Sequence, residues 1–453
     1  MRSLIVTPLL RVIIFSVPIL CKAANRNSSR TLHALVLLAL TPAFMAGQST
    51  DATLLADLTS DFARLAPQTV RPADGYIKYP YLTPAGYYTQ MWDWDGFFIG
   101  AHWSNQDPAD AKLLRDWVLG FTSSAAPDGY VAGCITPKGP RPLFGKFAMK
   151  PYLAQGALLA AQRLGDYSWL RPVWPDMQRI LAYRERTQFD GHWRLWFWDN
   201  AMQSGADNNA ALSNDPSDRS AILAVDASVF AMREYSAMSA LADHLGYYDD
   251  ARRYRLQAAS TRHAILAHLW SPHDAIFLNR RRDNGAWVRS ISWSSFTPLI
   301  DGLLSHRQAR RMIRLHLLNP NEMRSPFGFR SLSKSDPAYN NDAMIDPYSN
   351  WRGPIWVNAN FLDWIALRRY GFHTEAHWLA VTLAGSLRRD IARWDSMHED
   401  YNAETGDGLA PTEAQSPGGH FAGFVGWNLL ALDMLQCENG QGHCMALSIP
   451  EVH

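Results

Sequence analysis

The sequence predicts an all-α fold in which helical hairpins close into a ring around one pocket. Three observations carry that prediction. About a dozen segments place apolar residues at three- and four-residue spacing. A single stretch reads as a β-hairpin. The unusual polar and aromatic residues gather in long loops between the helical segments, where loops of such length are usually functional. No fixed repeat period is visible, which counts against a solenoid. With no sheet to pack on, a ring that brings its loops to one end is the arrangement in which they can build one pocket.

Residues 1–47 are expected to form an export segment. Arg26 and Arg30 precede the apolar run 32–40, and the small residues Ala43, Ala46 and Gly47 follow where cleavage would fall. An earlier apolar run, 4–20, is broken by Pro8, Arg11 and Pro18 and makes a poor membrane span. The mature protein is therefore expected to be periplasmic or secreted, with no stable span. One catalytic-type domain is expected over 48–436, with 437–453 as a tail. Helices are predicted over 54–65, where Leu54, Leu55, Leu58, Phe62 and Leu65 share a stripe, and over 109–121, 151–164, 169–186, 219–245 and 249–269. More follow over 306–318, 353–370, 374–393 and 424–435. Irregular stretches rich in Gly, Pro, Asn and Asp separate them at 126–145, 198–218, 325–352 and 395–423. Only 275–292 looks like a β-hairpin, with Ile276-Phe277-Leu278 and Trp287-Val288-Arg289 flanking Asp283-Asn284-Gly285.

Composition narrows the function. Lys plus Arg number 43 and Asp plus Glu 42, a formal charge of +1, so no basic field exists to attract nucleic acid. The 18 Trp, with 17 Tyr and 19 Phe, exceed what most cores need and suit a pocket lined by aromatic faces. The sequence holds no Gly-rich phosphate loop, no His-Glu-x-x-His helix and no Gly-x-Ser-x-Gly elbow, so neither a metal nor a cofactor is expected. Cys437 and Cys444 bracket a polar loop that could close into a disulfide in an oxidising space or stay as two thiols, which leaves Cys134 alone.

Four segments put carboxylates among aromatics or set aromatics to hold a ring. In Trp92-Asp93-Trp94-Asp95-Gly96-Phe97-Phe98, Asp95 could accept hydrogen bonds from hydroxyls while Trp94 stacks under a sugar; equally, Asp93 or Asp95 could cap the helix that follows. The loop Trp198 to Asn209 turns at Ser204-Gly205 and would aim Asp207. In Asn350-Trp351-Arg352-Gly353-Pro354-Ile355-Trp356, two indoles and a guanidinium surround a Gly-Pro turn at a helix start, a set suited to a hydroxylated ring; core burial is the plainer alternative. Last comes the acidic loop His398-Glu399-Asp400-Tyr401 through Gly406, which alone would pass for a solvated one. Hydrolysis of a glycoside needs one carboxylic acid to protonate the leaving oxygen and a second carboxylate to activate water or attack the sugar. Two acids on separate loops at one mouth of a ring meet that need.

These segments together resemble the glycoside hydrolases of family 63, within them the mannosylglycerate-hydrolase-like enzymes, and their neighbours the trehalases of family 37. The resemblance runs from about Tyr81 to Leu435 and rests on four motifs in order: Trp94-Asp95-Gly96-Phe97-Phe98, Ser204-Gly205-Ala206-Asp207-Asn208, Trp351 to Trp356, and Glu399-Asp400-Tyr401 through Gly406. It implies an (α/α)6 toroid, the six-hairpin glycosidase type, that cleaves α-linked sugars with inversion. It further implies Asp207 as general acid and Glu399 as general base, with Trp94, Asp95, Trp351, Arg352, Trp356, Gly205 and Tyr401 around the substrate. The chain departs from the family pattern at Gln203, Ala206, Asn350 and Lys150-Pro151-Tyr152. If Lys150 reaches the pocket, it could recognise the carboxylate of a glycerate aglycone.

The resulting expectation is an exported inverting α-glycosidase acting on an α-linked disaccharide, a short oligosaccharide or a glycosyl-glycerate. Two other readings stand beside it. A carbohydrate-binding protein with a degenerate pocket would keep the aromatics and lose turnover. A polysaccharide lyase on a similar toroid would need a Tyr or His base and a basic groove, which the balanced charge argues against.

Overall fold

The computed structural model describes residues 51–142, 147–212, 222–346, 348–444 and 447. The predicted export segment, and with it the early apolar run, lies outside the described residues. Helices come in successive pairs: α1 (residues 51–65), α2 (Asp93–Gln106), α3 (Ala111–Ser123), α4 (Leu153–Leu164), α5 (Trp174–Gln188), α6 (Val225–Leu245), α7 (Tyr248–Ala264), α8 (Trp293–Asp301, wound as a 3-10 helix), α9 (His306–Met312), α10 (Val357–Arg369), α11 (His373–Trp394) and α12 (Leu430–Glu438). The even-numbered helices form a closed inner ring, in which α2 packs on α4, α4 on α6, α6 on α8, α8 on α10, α10 on α12, and α12 returns to α2. This is an (α/α)6 toroid.

Position in the ring decides what each helix looks like. Outer helix α11 buries Ala376, Leu379, Ala380, Leu383, Ala384, Leu387 and Ile391, the three-four spacing of a one-faced helix. Inner helix α2 is buried on every side, from Asp93 through His102 and on to Ser104 and Asn105. It is correspondingly short of bulk: a Cβ on Gly96 would lie 2.3 Å from Trp117 Nε1 and one on Gly100 2.7 Å from Leu114 Cδ1, so the two glycines let α3 seat its large side chains against α2. Trp117, fully buried, donates its Nε1–H to the Trp92 carbonyl at 3.1 Å.

Buried polar contacts fix the ring. Glu234 on α6 accepts from the Ala154 and Gln155 amides at 2.7 and 3.3 Å, capping the start of α4 with a side chain from its neighbour. Asp433 on α12 accepts from His102 at 3.1 Å, Asn105 at 3.0 Å and Gln106 at 2.7 Å, joining the last inner helix to the first. Cys437 and Cys444 are bonded, with Cα atoms 5.2 Å apart, while Cys134 is free and buried. Arg233 donates to the carbonyl of Leu447, so part of the expected tail packs on the body.

Short antiparallel pairs line the loops. The stretch 275–292 is a hairpin only at its tip, where Gly285 N donates to Arg281 O at 2.8 Å and Val288 N to Asn279 O at 2.9 Å. Ile276–Phe277 pairs with Trp270–Ser271 instead of with 287–289, and Arg280–Arg281 adds to a four-stranded sheet beside Ile222–Leu223. The nearer partner captures Ile276 and Phe277 because it buries both of them, at 1% and 0% exposure. Among the described residues, no helix is long and apolar enough to cross a membrane.

Candidate active site

The pocket sits where inner helices begin. Trp94 in the first turn of α2 lies 6.2 Å from Trp293 at the start of α8, 5.6 Å from Trp351 and 5.7 Å from Trp427, centroid to centroid. Trp427 belongs to the 3-10 turn Gly426–Leu429 that leads into α12. Trp351 and Trp356 stack on each other at 4.0 Å, 9° from parallel. Both are buried to 1% exposure, and their N–H groups are spent on Ser349 Oγ (3.1 Å) and the Asn350 carbonyl (2.9 Å). These two indoles are committed to the protein, and Trp94, 5% exposed, packs against the first of them.

Asp207 is aimed by a loop built for a sharp turn. Asn200 caps the short helix Ala201–Ser204, and Gly205 ends it in the left-handed region at φ 84°. A Cβ there would meet Lys150 Cε at 2.5 Å and the Trp94 ring at 3.0 Å, so only glycine lets the loop lie against Trp94. Asp207 Oδ2 then accepts from Ser349 Oγ at 2.8 Å and from the Ser349 amide at 3.4 Å. Asn208 zips this loop to the next motif: its Oδ1 accepts from the Trp351 amide at 2.6 Å and its carbonyl from Arg352 Nε at 2.9 Å. Arg352, expected to fork onto substrate, therefore commits Nε to backbone.

Glu399 comes from the opposite loop. The strand Asp400–Tyr401 pairs with Gly408–Ala410 and is stitched to the Trp351–Trp356 segment by reciprocal bonds between Ile355 and Tyr401 at 2.8 and 3.0 Å. Tyr401, read from the resemblance as a pocket residue, is 2% exposed and donates its hydroxyl to Asp390 at 2.8 Å, so the structure places it behind the loop as a brace. Tyr88, which no motif singled out, donates its hydroxyl to Glu399 Oε2 at 3.0 Å.

Electrostatics bind the acids into one system. Burial pushes Asp207 up to about 6, against the Ser349 hydrogen bonds and the Lys150 charge, which favour its ionised form. Burial raises Asp95 to about 8, opposed by Lys150 and reinforced by Asp93 and Asp207. Glu399 is raised well above the usual range by burial and by Asp400, Asp95 and Asp207, while the Tyr88 hydroxyl pulls it down. Asp95, Asp207 and Glu399 thus share a site that holds fewer negative charges than carboxyls near neutral pH. Lys150 is neither exposed nor unpaired: its ammonium meets Asp93 Oδ1 at 2.9 Å and lies 5.4 Å from the Trp94 ring centroid, with its side chain 12% exposed. Sequence reasoning missed Tyr88, Trp293, Ser349 and Trp427; Ser349 stands directly before a motif, and Tyr88 four residues before Trp92, but neither has a spacing signal of its own.

An (α/α)6 ring with indoles near the starts of its inner helices, and carboxyls there and on the connecting loops, has the make-up of a six-hairpin glycoside hydrolase. Comparison with known proteins agrees. Residues 88–422 match the family model described as the mannosylglycerate hydrolase MGH1-like glycoside hydrolase domain, and the chain belongs to that family. A mannosylglycerate hydrolase of Rubrobacter radiotolerans is 25% identical over 174 residues, 38% of this chain and 36% of the relative. A probable mannosyl-oligosaccharide glucosidase of Schizosaccharomyces pombe is 25% identical over 291 residues, 60% of this chain and 33% of the relative. The chain spans about a third of the length of these curated relatives. A crystal structure of the family 63 mannosylglycerate hydrolase from Thermus thermophilus in complex with glucose shares the fold at a TM-score of 0.63 and 18% identity, covering 84% of this chain and 99% of that one.

Proposed function

We propose that the protein hydrolyses an α-linked glycoside with inversion, Asp207 protonating the departing oxygen and Glu399 drawing a proton from the attacking water. The observation that carries this reading is two carboxyls on separate loops, each under its own control, at one aromatic pocket. Burial keeps Asp207 protonated into the range near pH 6, where an acid is useful. The Tyr88 hydroxyl favours the ionised form of Glu399 and fixes its orientation. Asp95, protonated at neutral pH, withdraws one of the charges that oppose Glu399 ionisation and can donate to a sugar hydroxyl. Trp94 offers the ring face.

The substrate class follows from Lys150. Its charge is neutralised by Asp93 inside the wall, so a glycerate carboxylate would have to break a buried pair to use it. A neutral leaving group, that of a disaccharide or short oligosaccharide, fits this wall better than a glycosyl-glycerate. Export is part of the proposal, supported by the leader pattern of residues 26–47 and by a bonded Cys437–Cys444 pair, which suits an oxidising compartment.

The test is proton NMR of product anomers from the purified protein with trehalose, gluco- and mannobioses and both glycosyl-glycerates, beside Asp207→Asn and Glu399→Gln. Release of the β-anomer, lost in both variants, is the expected result. Release of the α-anomer would overturn inversion, and sugar binding without turnover would leave the binding-protein reading in its place.

A further inference from the structure

A cavity of about 550 Å³ opens between the C-terminal turns of α11 and the loop that runs to Phe421. Its size lies within the range of small-molecule sites. Arg393, Trp394, His398, Asp407, Glu413 and Phe421 line it. None of the groups that meet Glu399 in the pocket, Tyr88, Asp95 or Asp207, is among the lining residues. Glu399, the residue after His398, is likewise absent from the lining.

His398 is built for a ligand. It is 5% exposed, and its Nδ1 lies 2.9 Å from Asp390, whose Oδ2 also accepts from the His398 amide at 2.7 Å and from Tyr401 at 2.8 Å. The carboxylate on Nδ1 holds the imidazole in one orientation and leaves Nε2 as its second polar atom. Among the described residues, that nitrogen has no hydrogen-bond partner, and it belongs to a residue lining the cavity. Beside it, the Phe421 ring lies 4.5 Å from the imidazole and 5.2 Å from Trp394. The Arg393 guanidinium sits 5.0 Å from the Trp394 ring, and Arg389, also lining the cavity, donates to Ser386 Oγ at 3.0 Å. Among the described residues, neither arginine is ion-paired with a carboxylate.

We propose that this cavity is a second carbohydrate-binding site, separate from the catalytic pocket, that takes one neutral sugar ring. The two aromatic rings supply a platform for the C–H face of the sugar. Arg389 and Arg393 supply guanidinium donors, the Asp407 and Glu413 carboxylates supply the acceptors that vicinal hydroxyls require, and His398 Nε2 adds one more polar contact. Charges of both signs on the lining disfavour an anionic ligand, which would meet the carboxylates of Asp390, Asp407 and Glu413, and favour a neutral polyol that uses both signs. No step of hydrolysis is involved, so the site stands or falls apart from the reaction assigned to Asp207 and Glu399.

The test is calorimetric titration of the full-length Glu399→Gln protein with glucose, mannose, maltose and glucuronate, repeated after adding Trp394→Ala. The expected result is two binding events for a neutral sugar, the weaker of which weakens at least tenfold in the double variant. The single Trp394→Ala variant should keep parental melting and turn over small substrates within twofold of the parent. If Trp394→Ala does not fold, Arg393→Ala, which changes an exposed side chain, carries the same titration. A single binding event unaffected by either substitution would overturn the proposal, as would a second site that takes glucuronate and no neutral sugar.

Discussion

Replacing Ser349 by Ala tests how the acid is tuned. The hydroxyl donates to Asp207 Oδ2 at 2.8 Å and is the largest influence holding that carboxyl down against burial. A hydrogen bond to a charged group contributes about 1.5–3 kcal/mol, and the Ser349 amide, 3.4 Å away, still donates once the hydroxyl is gone. A net loss of about 1.4 kcal/mol from the ionised form corresponds to a rise of about one pH unit. The sign is fixed: losing a donor disfavours the carboxylate, so Asp207 holds its proton to higher pH and the alkaline limb of kcat/KM moves up from about 6. At pH 7.5 the protonated fraction would rise from about 3% to about 24%, roughly eightfold. The assay is the pH dependence of kcat/KM for Ser349→Ala and Ser349→Thr, because threonine keeps the hydroxyl and should keep the parental limb. Trp351 Nε1 also loses its acceptor in Ser349→Ala, so stability should fall by about 1–3 kcal/mol, whereas the limb position is independent of the amount of folded enzyme. An alkaline limb that stays in place, or moves toward acid, in a folded Ser349→Ala protein would refute Asp207 as the group that must be protonated.

Three further outcomes follow from the same contacts. Tyr88→Phe removes the donor that lowers Glu399, so the acid limb should shift toward higher pH and the profile narrow, measured on the same substrates. Gly96→Ala drives a methyl group to within 2.3 Å of the fully buried Trp117 ring and should cost about 1–3 kcal/mol in denaturant melts; an unchanged midpoint would mean that α3 can move away. Replacing Cys437 and Cys444 together by Ser opens a loop with a sequence separation of 7, for which chain entropy sets an upper bound of about 2–3 kcal/mol in thermal unfolding, with activity unchanged at 25 °C.

Inner helices α4, α6, α10 and α12 answer to the predictions over 151–164, 219–245, 353–370 and 424–435, while the outer helices carry the plainest pattern. Residues 374–393 were predicted and His373–Trp394 observed, because a helix with one wet face writes its burial into the spacing of its residues. Helix α2 left no such trace: Phe97, Phe98, Ile99, His102 and Asn105 point to different neighbours, all of them protein. Helix α8 escaped for another reason, since it is wound as a 3-10 helix with Pro298 inside. In the site, Asp207, Glu399, Trp94 and Asp95 were found as motif residues, and the structure gathers them. What spacing could not convey was the traffic between motifs. Tyr88 reaches Glu399 across 311 residues of chain, and Ser349 reaches Asp207 across 142. Trp351 and Arg352 were legible as residue types suited to sugar, yet part of their hydrogen-bonding capacity goes to Asn208, a contact that only the folded loops bring about.

The bond between Asp433 and the α2 residues His102, Asn105 and Gln106 makes the first inner helix wait for the last. During synthesis, α2 emerges early and its partner arrives 331 residues later, so until then the ring is an open arc with Trp94 lacking Trp427 beside it. A truncation ahead of Trp427 removes neither Ser349 nor Tyr88, the side chains that donate to Asp207 and Glu399, yet it leaves the arc unclosed and Trp94 without Trp427. The cluster of indoles around Trp94 is therefore complete only once the segment from Trp427 to α12 has folded back against α2.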